Sequence, residues 1–235
     1  MGRETYIHPV EWVDGQPVIL PAGETLTYST RPVTDAPLWS AGGLAKEAFG
    51  IRSLTVDNSM IDPQGRLTLP ASSIRLGDGG SPSVIGRWVT DYACSAQTSV
   101  CFNPQSMGDL AGLTLFQDDL CHITFGLTTG AEGSPCLKLT ALEKGETIVS
   151  QTVPLSADDA RRPVHLKVEG TLTPAPTGHH YGYQFSYSLN PAKGWTTVGD
   201  PVAAECLSTR TAGGFTGTMV GVYATGNYLQ SSIQP

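Results

Sequence analysis

The chain contains 235 residues, enough for one large domain with a substantial buried core. Only 15% of the residues are charged, whereas Gly (27 residues) and Pro (17 residues) are abundant, which suits short strands joined by tight turns. The net charge of -7 and the lack of a Lys/Arg cluster argue against nucleic acid and anionic membranes as partners. No stretch approaches the ~20 apolar residues that a transmembrane helix requires. Neutral sugars and other proteins remain as candidate partners.

The first twenty residues predict a β-hairpin that stands apart from the rest of the chain. Residues 4–12 carry large side chains and run into a second extended segment at residues 14–19. Because an isolated hairpin is barely stable in water, we expect it to form the edge of another sheet. Residues 21–40 are predicted to be a linker, since they begin with a stretch rich in Thr, Pro and Ala. The segment Met1–Thr5 lacks the apolar core of a signal peptide.

After the linker, apolar residues alternate with a period of two in short segments separated by turns. In chain order the predicted strands are Tyr92–Phe102, a segment from Leu113 to the turn at Asp118-Asp119, Cys121–Leu127, Leu137–Ala141, Val164–Glu169, Tyr183–Leu189, Trp195–Val198 and Thr216–Ala224. This spacing predicts an all-β fold, a two-sheet antiparallel β-sandwich of the jelly-roll type. Helical features are limited to one or two turns at Leu44–Phe49 and a capped short turn at Ser156–Arg162.

The five cysteines do not have the spacing of a metal site. They are Cys94, Cys101, Cys121, Cys136 and Cys206, with no CxxC pair and no His/Cys cluster. Cys94 and Cys101 lie on opposite faces of one predicted strand and are too far apart to form a disulfide. We expect buried free thiols, and one disulfide elsewhere is the alternative.

Four segments carry motifs of a known enzyme family. Gly2–Gly15 contains GRET followed by a P-V-x-W run; Ala111–Asp119 is AGLTLFQDD; Phe185–Leu189 is FSYSL, followed by Trp195; and Gly213–Ala224 is GGFTGTMVGVYA. In this order they resemble segments of the family 43 glycoside hydrolases, the β-xylosidases and α-L-arabinofuranosidases. The first resembles the segment that closes the five-bladed catalytic propeller, and the other three resemble strands of the second domain.

The resemblance implies a concanavalin A-like jelly roll preceded by an orphan hairpin. Its expected divisions are a remnant of the propeller's closing segment (1–20), a linker (21–40), the β-sandwich (41–226) and a tail (227–235). The implied partners are a five-bladed propeller, either joined in cis or lost, and a pentose-containing oligosaccharide. Since the family has secreted and intracellular members, the compartment is open, and we favour an extracellular one.

Three departures from the family pattern stand out. Gly86-Arg87-Trp88 occupies the place of the family's R-R-Q, and Thr173–His180 resembles an insertion. The family's final strand is missing after Gly226. A lost final strand would expose a sheet edge, so the family pattern alone does not guarantee that this chain folds independently.

The sequence offers no complete set of catalytic groups. Inverting glycoside hydrolysis requires two carboxyl groups roughly 6.5–9.5 Å apart, and in the resembled family they come from the propeller. The acids Asp118-Asp119, Asp158-Asp159, Glu143 and Glu146 fall in turns or surface loops, where we expect them to be solvated. His179-His180 point in opposite directions on an extended segment and lack a third metal ligand. We therefore predict no catalytic residues, no metal, no cofactor and no activity of this chain alone, although the resembled family consists of enzymes.

Two residues are candidates for contacting a substrate. Arg3 matches the arginine of the GRET segment, which resembles a position near the sugar hydroxyls, and its guanidinium could span adjacent oxygens. Phe215 resembles an aromatic residue that narrows the propeller's pocket from a sandwich loop. Gly213-Gly214 before it and Gly217 after it permit a sharply bent loop. The alternatives are an exposed arginine near a terminus and an ordinary core phenylalanine.

Three functions are compatible with these patterns. The first is an accessory sandwich domain that buttresses and rims the active site of a family 43 enzyme acting on xylan, arabinan side chains or xylo-oligosaccharides. The second is a carbohydrate-binding module, for which exposed coplanar aromatics on one sheet would be evidence. The third is a module that docks another protein. Trp12, Trp39, Trp88 and Trp195 could stack on sugars if exposed, but we expect Trp195 in the core and Trp12 packed on its hairpin.

Overall fold

The computed structural model describes residues 9–19, 36–52, 57–91, 93–175, 178–214 and 216–226. Two short helices, α1 (Ala157–Ala160) and α2 (Thr209–Ala212), accompany fifteen strands in these ranges. In chain order the strands are Glu11–Val13 (β1), Gln16–Val18 (β2), Trp39–Ser40 (β3), Gly43–Leu44 (β4), Ser83–Trp88 (β5), Ser95–Val100 (β6), Leu110–Phe116 (β7), His122–Thr129 (β8), Pro135–Glu143 (β9), Glu146–Pro154 (β10), Val164–Ala175 (β11), Gly178–Ser188 (β12), Thr196–Thr197 (β13), Val202–Ala203 (β14) and Met219–Thr225 (β15). No helix in these ranges has the length and apolar character needed to cross a membrane.

The strands form two main antiparallel sheets. The six-stranded sheet has the order β10-β9-β8-β7-β15-β5, and the other has the order β13-β12-β11-β6 with β14 also paired to β12. Between them lies a core to which both sheets contribute large side chains. Phe125 from β8 contacts Phe185 from β12 edge to face, with ring centroids 5.5 Å apart. The predicted two-sheet β-sandwich is therefore confirmed.

A second, smaller core covers the outer face of the six-stranded sheet. Ile51 and Leu76, from the segment that precedes the sandwich strands, pack on this face with Phe49. The face is formed by β5, β7 and β15, and its buried members are Val84, Leu110, Met219 and Tyr223. Phe49 also exchanges two backbone hydrogen bonds with Gly86, so it extends the sheet beyond β5. The described segment before β5 is thus anchored to the sandwich at Phe49, Ile51 and Leu76.

The hairpin of β11 and β12 is longer than the strand beside it. Its register joins eleven residue pairs from His165–Ser188 to Ala175–Gly178, whereas β6 pairs with β11 only from Val164 to Glu169. The hairpin therefore continues past the end of its neighbour. Leu172, in the overhanging part, is exposed.

The alternating strands were predicted correctly, and five strands were missed, namely β3, β4, β5, β10 and β14. The residues predicted to face inward on β8 and β9 are buried, including Ile123, Phe125, Leu137 and Leu139. Strands β5 and β10 were not predicted, because neither alternates in burial: most of β5 is buried on both faces and β10 is largely exposed. The last strand begins at Met219 rather than Thr216.

The two expected helical segments had different outcomes. The capped turn is confirmed, since the Ser156 hydroxyl accepts a hydrogen bond from the backbone N–H of Asp159 at 3.0 Å and α1 follows. The helix expected at Leu44–Phe49 was wrong. Leu44 lies in the β3–β4 hairpin, with its N–H bonded to Asn58 Oδ1 at 2.9 Å, and Phe49 is paired with β5.

All five cysteines are free thiols. Cys121, Cys136 and Cys206 are buried as expected, and Cys94 is half-buried. Cys101 is exposed, which corrects the expectation that every thiol is buried. Its position just beyond β6 gives it the outward parity of that strand, opposite to Cys94.

In residues 9–19 the predicted amino-terminal hairpin is present as β1 and β2, whereas residues 4–8 of its first predicted strand lie outside the described residues. It pairs Glu11 with Val18 and forms a two-stranded sheet of its own. Trp12 is 71% exposed, and Val10, Val13 and Ile19 are exposed beside it. The expectation that Trp12 packs on its hairpin was wrong, because so small a sheet offers no second layer.

Candidate functional site

The two residues proposed to contact substrate, Arg3 and Phe215, lie outside the described residues. The neighbours of Phe215 are described, however, and they define a loop at residues 213–218. This loop joins α2 to β15 at the end of the sandwich where β7 finishes, since Phe116 pairs with Met219. The candidate site is built from the described residues of this 213–218 loop and the side chains around it.

The loop begins with a sharp bend. Helix α2 is capped by Ser208, whose hydroxyl accepts from the N–H of Thr211 at 3.3 Å. Gly213 (φ 84°) and Gly214 (φ 69°) then adopt backbone conformations that L-amino acids with side chains rarely occupy. The bent loop predicted from the paired glycines is therefore confirmed.

The loop ends at a buried hydrogen-bonded cluster. Gln117, 6% exposed, follows β7 and donates from Nε2 to the backbone oxygen of Thr216 at 2.7 Å. The hydroxyl of Thr218, 1% exposed, donates to Gln117 Oε1 at 3.3 Å. The sequence marked Gln117 only as part of a motif and gave no indication of this contact.

Two tyrosines extend this cluster between the sheets. Tyr183 hydrogen-bonds with Thr218 and with Tyr181, and the rings of the two tyrosines meet edge to face at 5.2 Å. The Tyr181 hydroxyl lies 3.7 Å from Cys94 Sγ. Burial raises the pKa of both phenols and of the Cys94 thiol, so these groups are neutral hydrogen-bonding partners at physiological pH.

Trp88 lies beside the loop on the outer side. A Cβ atom at Gly217 would be 3.9 Å from the indole of Trp88, and the N–H of Val89 donates to the Thr218 oxygen at 2.8 Å. The Trp88 ring contacts that of Phe49 at a centroid distance of 4.8 Å and is 48% exposed. This exposed indole is the aromatic surface that the structure places next to the 213–218 loop.

The acids predicted to be solvated include two with structural roles. Asp118 accepts from the N–H groups of Leu120 and Cys121 at 2.9 Å and 2.8 Å and thereby closes the β7–β8 turn. Asp119 forms an ion pair with Arg52. The prediction of free, solvated carboxylates was wrong at these two positions, because the N–H groups of the turn bond to Asp118 and the Arg52 guanidinium pairs with Asp119. Asp158 and Glu146 are exposed as expected.

Two clefts elsewhere in the described part lack acidic residues. A cleft of about 500 Å³ lies at the far end of the sandwich between Asn103, Thr129 and Arg161, and one of about 330 Å³ lies beside Tyr187 and Trp195. Without a carboxylate in either lining, neither cleft can supply the acid and base of glycoside hydrolysis. The described residues also contain no group of three or more His, Cys, Asp or Glu that could hold a metal.

Comparison with known proteins identifies the family. Residues 54–233 match the family model described as the β-xylosidase C-terminal concanavalin A-like domain. The chain belongs to this family. The resemblance seen in the sequence motifs is therefore confirmed, and the β-xylosidase C-terminal domain accounts for both main sheets and the 213–218 loop.

Relatives of this β-xylosidase C-terminal domain are much longer chains. It is 24% identical to a non-reducing end α-L-arabinofuranosidase of Bacteroides ovatus over 97% of its own length and 42% of the relative's. It is 24% identical to a xylosidase/arabinosidase of Butyrivibrio fibrisolvens, covering 97% of this chain and 44% of that one. The chain thus spans less than half the length of these relatives and corresponds to the accessory domain of a family 43 glycoside hydrolase.

A solved structure shows the same fold. The family 43 protein BlXynB from Bacillus licheniformis superposes with a TM-score of 0.74 and 24% identity, over 96% of this chain and 44% of that one. The similarity also continues upstream of residue 54, where the family model begins. Only about 7 of the 235 residues fall outside the alignment with the Bacteroides relative, so most of the amino-terminal segment is aligned as well.

Proposed function

We propose that this β-xylosidase C-terminal domain buttresses and rims the active site of a family 43 glycoside hydrolase whose catalytic groups lie in a separate propeller portion. The observation that carries the proposal is the pattern of coverage. The relatives match nearly all of this chain, yet this chain matches only 42–44% of them. The remaining part of such an enzyme is the place for its proton-transfer groups. The substrates proposed are pentose-containing oligosaccharides from xylan or arabinan side chains.

The β1–β2 hairpin supports a docking role toward that portion. In the described residues it pairs with no strand outside itself, and its large apolar side chains face solvent. Apolar groups on a two-stranded sheet gain little by remaining exposed, so covering them by a neighbouring sheet stabilises both partners. We therefore assign residues 1–20 to the closing edge of the propeller, 21–40 to the linker, 41–226 to the sandwich and 227–235 to a tail.

The 213–218 loop supports the rim role. Its bend at Gly213-Gly214 and its hydrogen-bonded attachment at Thr216 and Thr218 place both flanks of residue 215 at one end of the sandwich. We propose that Phe215 narrows the sugar-binding pocket there and that Arg3 binds sugar hydroxyls from the propeller edge.

The proposal predicts that the purified 235-residue chain does not hydrolyse nitrophenyl β-xyloside or α-L-arabinofuranoside above background. Fusion of the chain behind the catalytic portion of a relative is expected to give hydrolysis, and Phe215→Ala in the fusion is expected to shift the products from single terminal sugars toward longer fragments. Phe102→Ala, at the far end of the sandwich, is the matched control. Turnover by the chain alone would refute the accessory role. An unchanged product profile in Phe215→Ala would refute the rim role.

The carbohydrate-binding module receives less support from the structure. Of the four tryptophans, only Trp12 and Trp88 are exposed, and they lie on different sheets, whereas Trp39 and Trp195 are half-buried. Trp195 lies under the Lys167 ammonium, 4.8 Å from the ring centroid. Titration of xylo-oligosaccharides against tryptophan fluorescence separates the two functions. Saturable binding by the chain alone would favour the module.

A further inference from the structure

We propose that Gln117 is a positioning residue that pins the 213–218 loop to the end of β7 and so fixes where residue 215 is presented. This inference rests on the proposed rim function only for its consequence in an enzyme. The pinning itself follows from contacts among described residues. No sequence pattern distinguishes Gln117 from the other residues of its motif. In the structure, however, its side-chain amide is hydrogen-bonded to both Thr216 and Thr218.

The register of the sheet explains why a side chain is needed at this point. Phe116 of β7 pairs with Met219 of β15, so continuing the ladder would place Gln117 opposite Thr218. The backbone groups of this pair point away from each other: the N–H of Gln117 donates to the Cys121 oxygen at 3.1 Å, and the oxygen of Thr218 accepts from Val89 on the β5 side. The backbone ladder to β15 ends at this turn. Beyond the end of this ladder, the side chain of Gln117 makes the contact with the loop, and it reaches Thr216, two residues before Thr218.

Both ends of the amide are used in one orientation. The backbone oxygen of Thr216 can only accept, so the Gln117 nitrogen must face it, at 2.7 Å. The Gln117 oxygen then faces the Thr218 hydroxyl at 3.3 Å. Reversing the amide would place two acceptors, the oxygens of Gln117 and Thr216, against each other at a part-buried contact. The cluster therefore specifies a single arrangement of the loop.

Thr218, one of the two loop residues that Gln117 contacts, also has contacts with other parts of the sandwich. Its backbone oxygen accepts from Val89, and its single hydroxyl proton is shared between Gln117 Oε1 and the backbone oxygen of Leu207, each 3.3 Å from the hydroxyl oxygen. At the opposite end of the loop, added Cβ atoms on Gly213 and Gly214 would meet nothing within 4 Å. The loop therefore has free space around Gly213 and Gly214, where it follows α2. It is held by hydrogen bonds at Thr216 and Thr218, where it leads into β15. Loss of the Gln117 amide is expected to free residues 214–217 while leaving β15 in place.

The test compares amide hydrogen exchange in the full chain between wild type and Gln117→Met, which keeps the length and volume but removes both hydrogen bonds. We expect exchange in peptides covering residues 213–218 to become about ten-fold faster, the factor expected for losing one or two buried hydrogen bonds. Exchange in β8 and β9 is expected to remain at the wild-type rate. Gln97→Met, at an exposed position on β6, is the matched control and should leave the loop unchanged.

A second pair of variants keeps the test decisive if Gln117→Met folds poorly. Thr218→Val removes the hydroxyl at constant shape, whereas Thr218→Ser keeps it. Faster loop exchange in the valine variant, with the wild-type rate in the serine variant, supports the pin. Equal rates in both would overturn it, as would unchanged loop exchange in Gln117→Met or an equal acceleration throughout the chain, which would indicate global destabilisation.

The proposed function can fail independently of this inference. Phe215→Ala retains every contact of the pin and is expected to keep its exchange pattern at Thr216 and Thr218. If amide exchange in the 213–218 loop is faster in Gln117→Met while Phe215→Ala leaves the products of the fusion enzyme unchanged, the positioning role of Gln117 is supported and the rim role is wrong. If the products change in Phe215→Ala but loop exchange is unchanged in Gln117→Met, the rim role is supported and the positioning role of Gln117 is wrong.

Discussion

At the scale of single residues, His122 is a buried titratable side chain whose pKa is lowered by folding. It begins β8, is 6% exposed and stacks on Phe116 at a centroid distance of 6.2 Å. Burial lowers its pKa below the usual 6.5, outweighing the raising effects of Asp118 and Asp119, whose backbone groups hydrogen-bond with the imidazole. Its Nδ1 atom has no hydrogen-bond partner in the described part, so a proton there would be buried without compensation.

This pKa shift predicts a loss of stability in mild acid. Above pH 6.5 the imidazole is neutral in both the folded and unfolded states, and the full stability is present. As the pH falls below 6.5, the unfolded state binds a proton first, so the free energy of unfolding decreases by up to about 1.4 kcal/mol per pH unit until the folded-state pKa is reached. Urea unfolding between pH 5 and 8 should show a shallower decline for His122→Gln. His180→Gln, at an exposed position, should retain the wild-type slope, and identical slopes in all three proteins would contradict the prediction.

At the scale of elements, opposed glycines allow β15 and β5 to approach closely. Gly221 pairs with Gly86, and a Cβ atom on Gly221 would lie 2.3 Å from the Ile85 backbone oxygen. A Cβ atom on Gly86 would lie 2.6 Å from the Val220 oxygen. Non-bonded carbon and oxygen atoms do not approach each other this closely. The two strands would therefore have to separate to accept a methyl group at either position.

Gly221→Ala is therefore expected to reduce the free energy of unfolding by about 3 kcal/mol, at the upper end of the usual cost of overpacking. Denaturant unfolding followed by tryptophan fluorescence would measure it. The control is Gly42→Ala, where the nearest atom to an added Cβ is the Ser40 hydroxyl at 3.5 Å and little change is expected. Similar losses in the two variants would show that the close strand approach is not the cause.

The same elements show which parts of the fold a single sequence can reveal. Strands β8 and β9 were predictable because large apolar side chains on one face alternate in sequence with polar residues or glycine on the other, although the second face of β8 is also largely buried. Val84 and Ile85 are adjacent in β5 and both buried on opposite faces, so their strand has no alternation to detect. At the candidate site, the bend at Gly213-Gly214 was predictable from local backbone requirements. The contact of Gln117 with Thr216 spans 99 residues and depends on the order of strands in the sheet, which no local pattern encodes.

At the scale of the whole molecule, stability depends on the contact between the two main sheets. Phe125 and Phe185 meet across the core, and both are fully buried. Truncation of either ring leaves a cavity that the rigid sheets cannot close, because each strand is fixed by its ladder on both sides.

Phe125→Ala and Phe185→Ala are each expected to lower the free energy of unfolding by about 3–5 kcal/mol. Milder Phe→Leu changes at both positions allow a double-mutant cycle in denaturant, and we expect a coupling free energy of about 0.5–1.5 kcal/mol from the edge-to-face contact. Val164→Ala and Val149→Ala provide a pair of smaller apolar side chains on different sheets for comparison. A coupling of zero between the phenylalanines would show that the sheets contribute independently to stability.

Both margins of the six-stranded sheet carry features that hinder the addition of a further strand. Phe49 occupies the hydrogen-bonding groups of Gly86 along β5. On the other side, β10 has a bulge at Ile148 and ends at Pro154, which has no N–H to donate. A second copy cannot easily continue the sheet, so amyloid-like stacking through this sheet is opposed even at high concentration. This agrees with the proposal that neighbouring polypeptide attaches at the amino-terminal hairpin and the 213–218 loop.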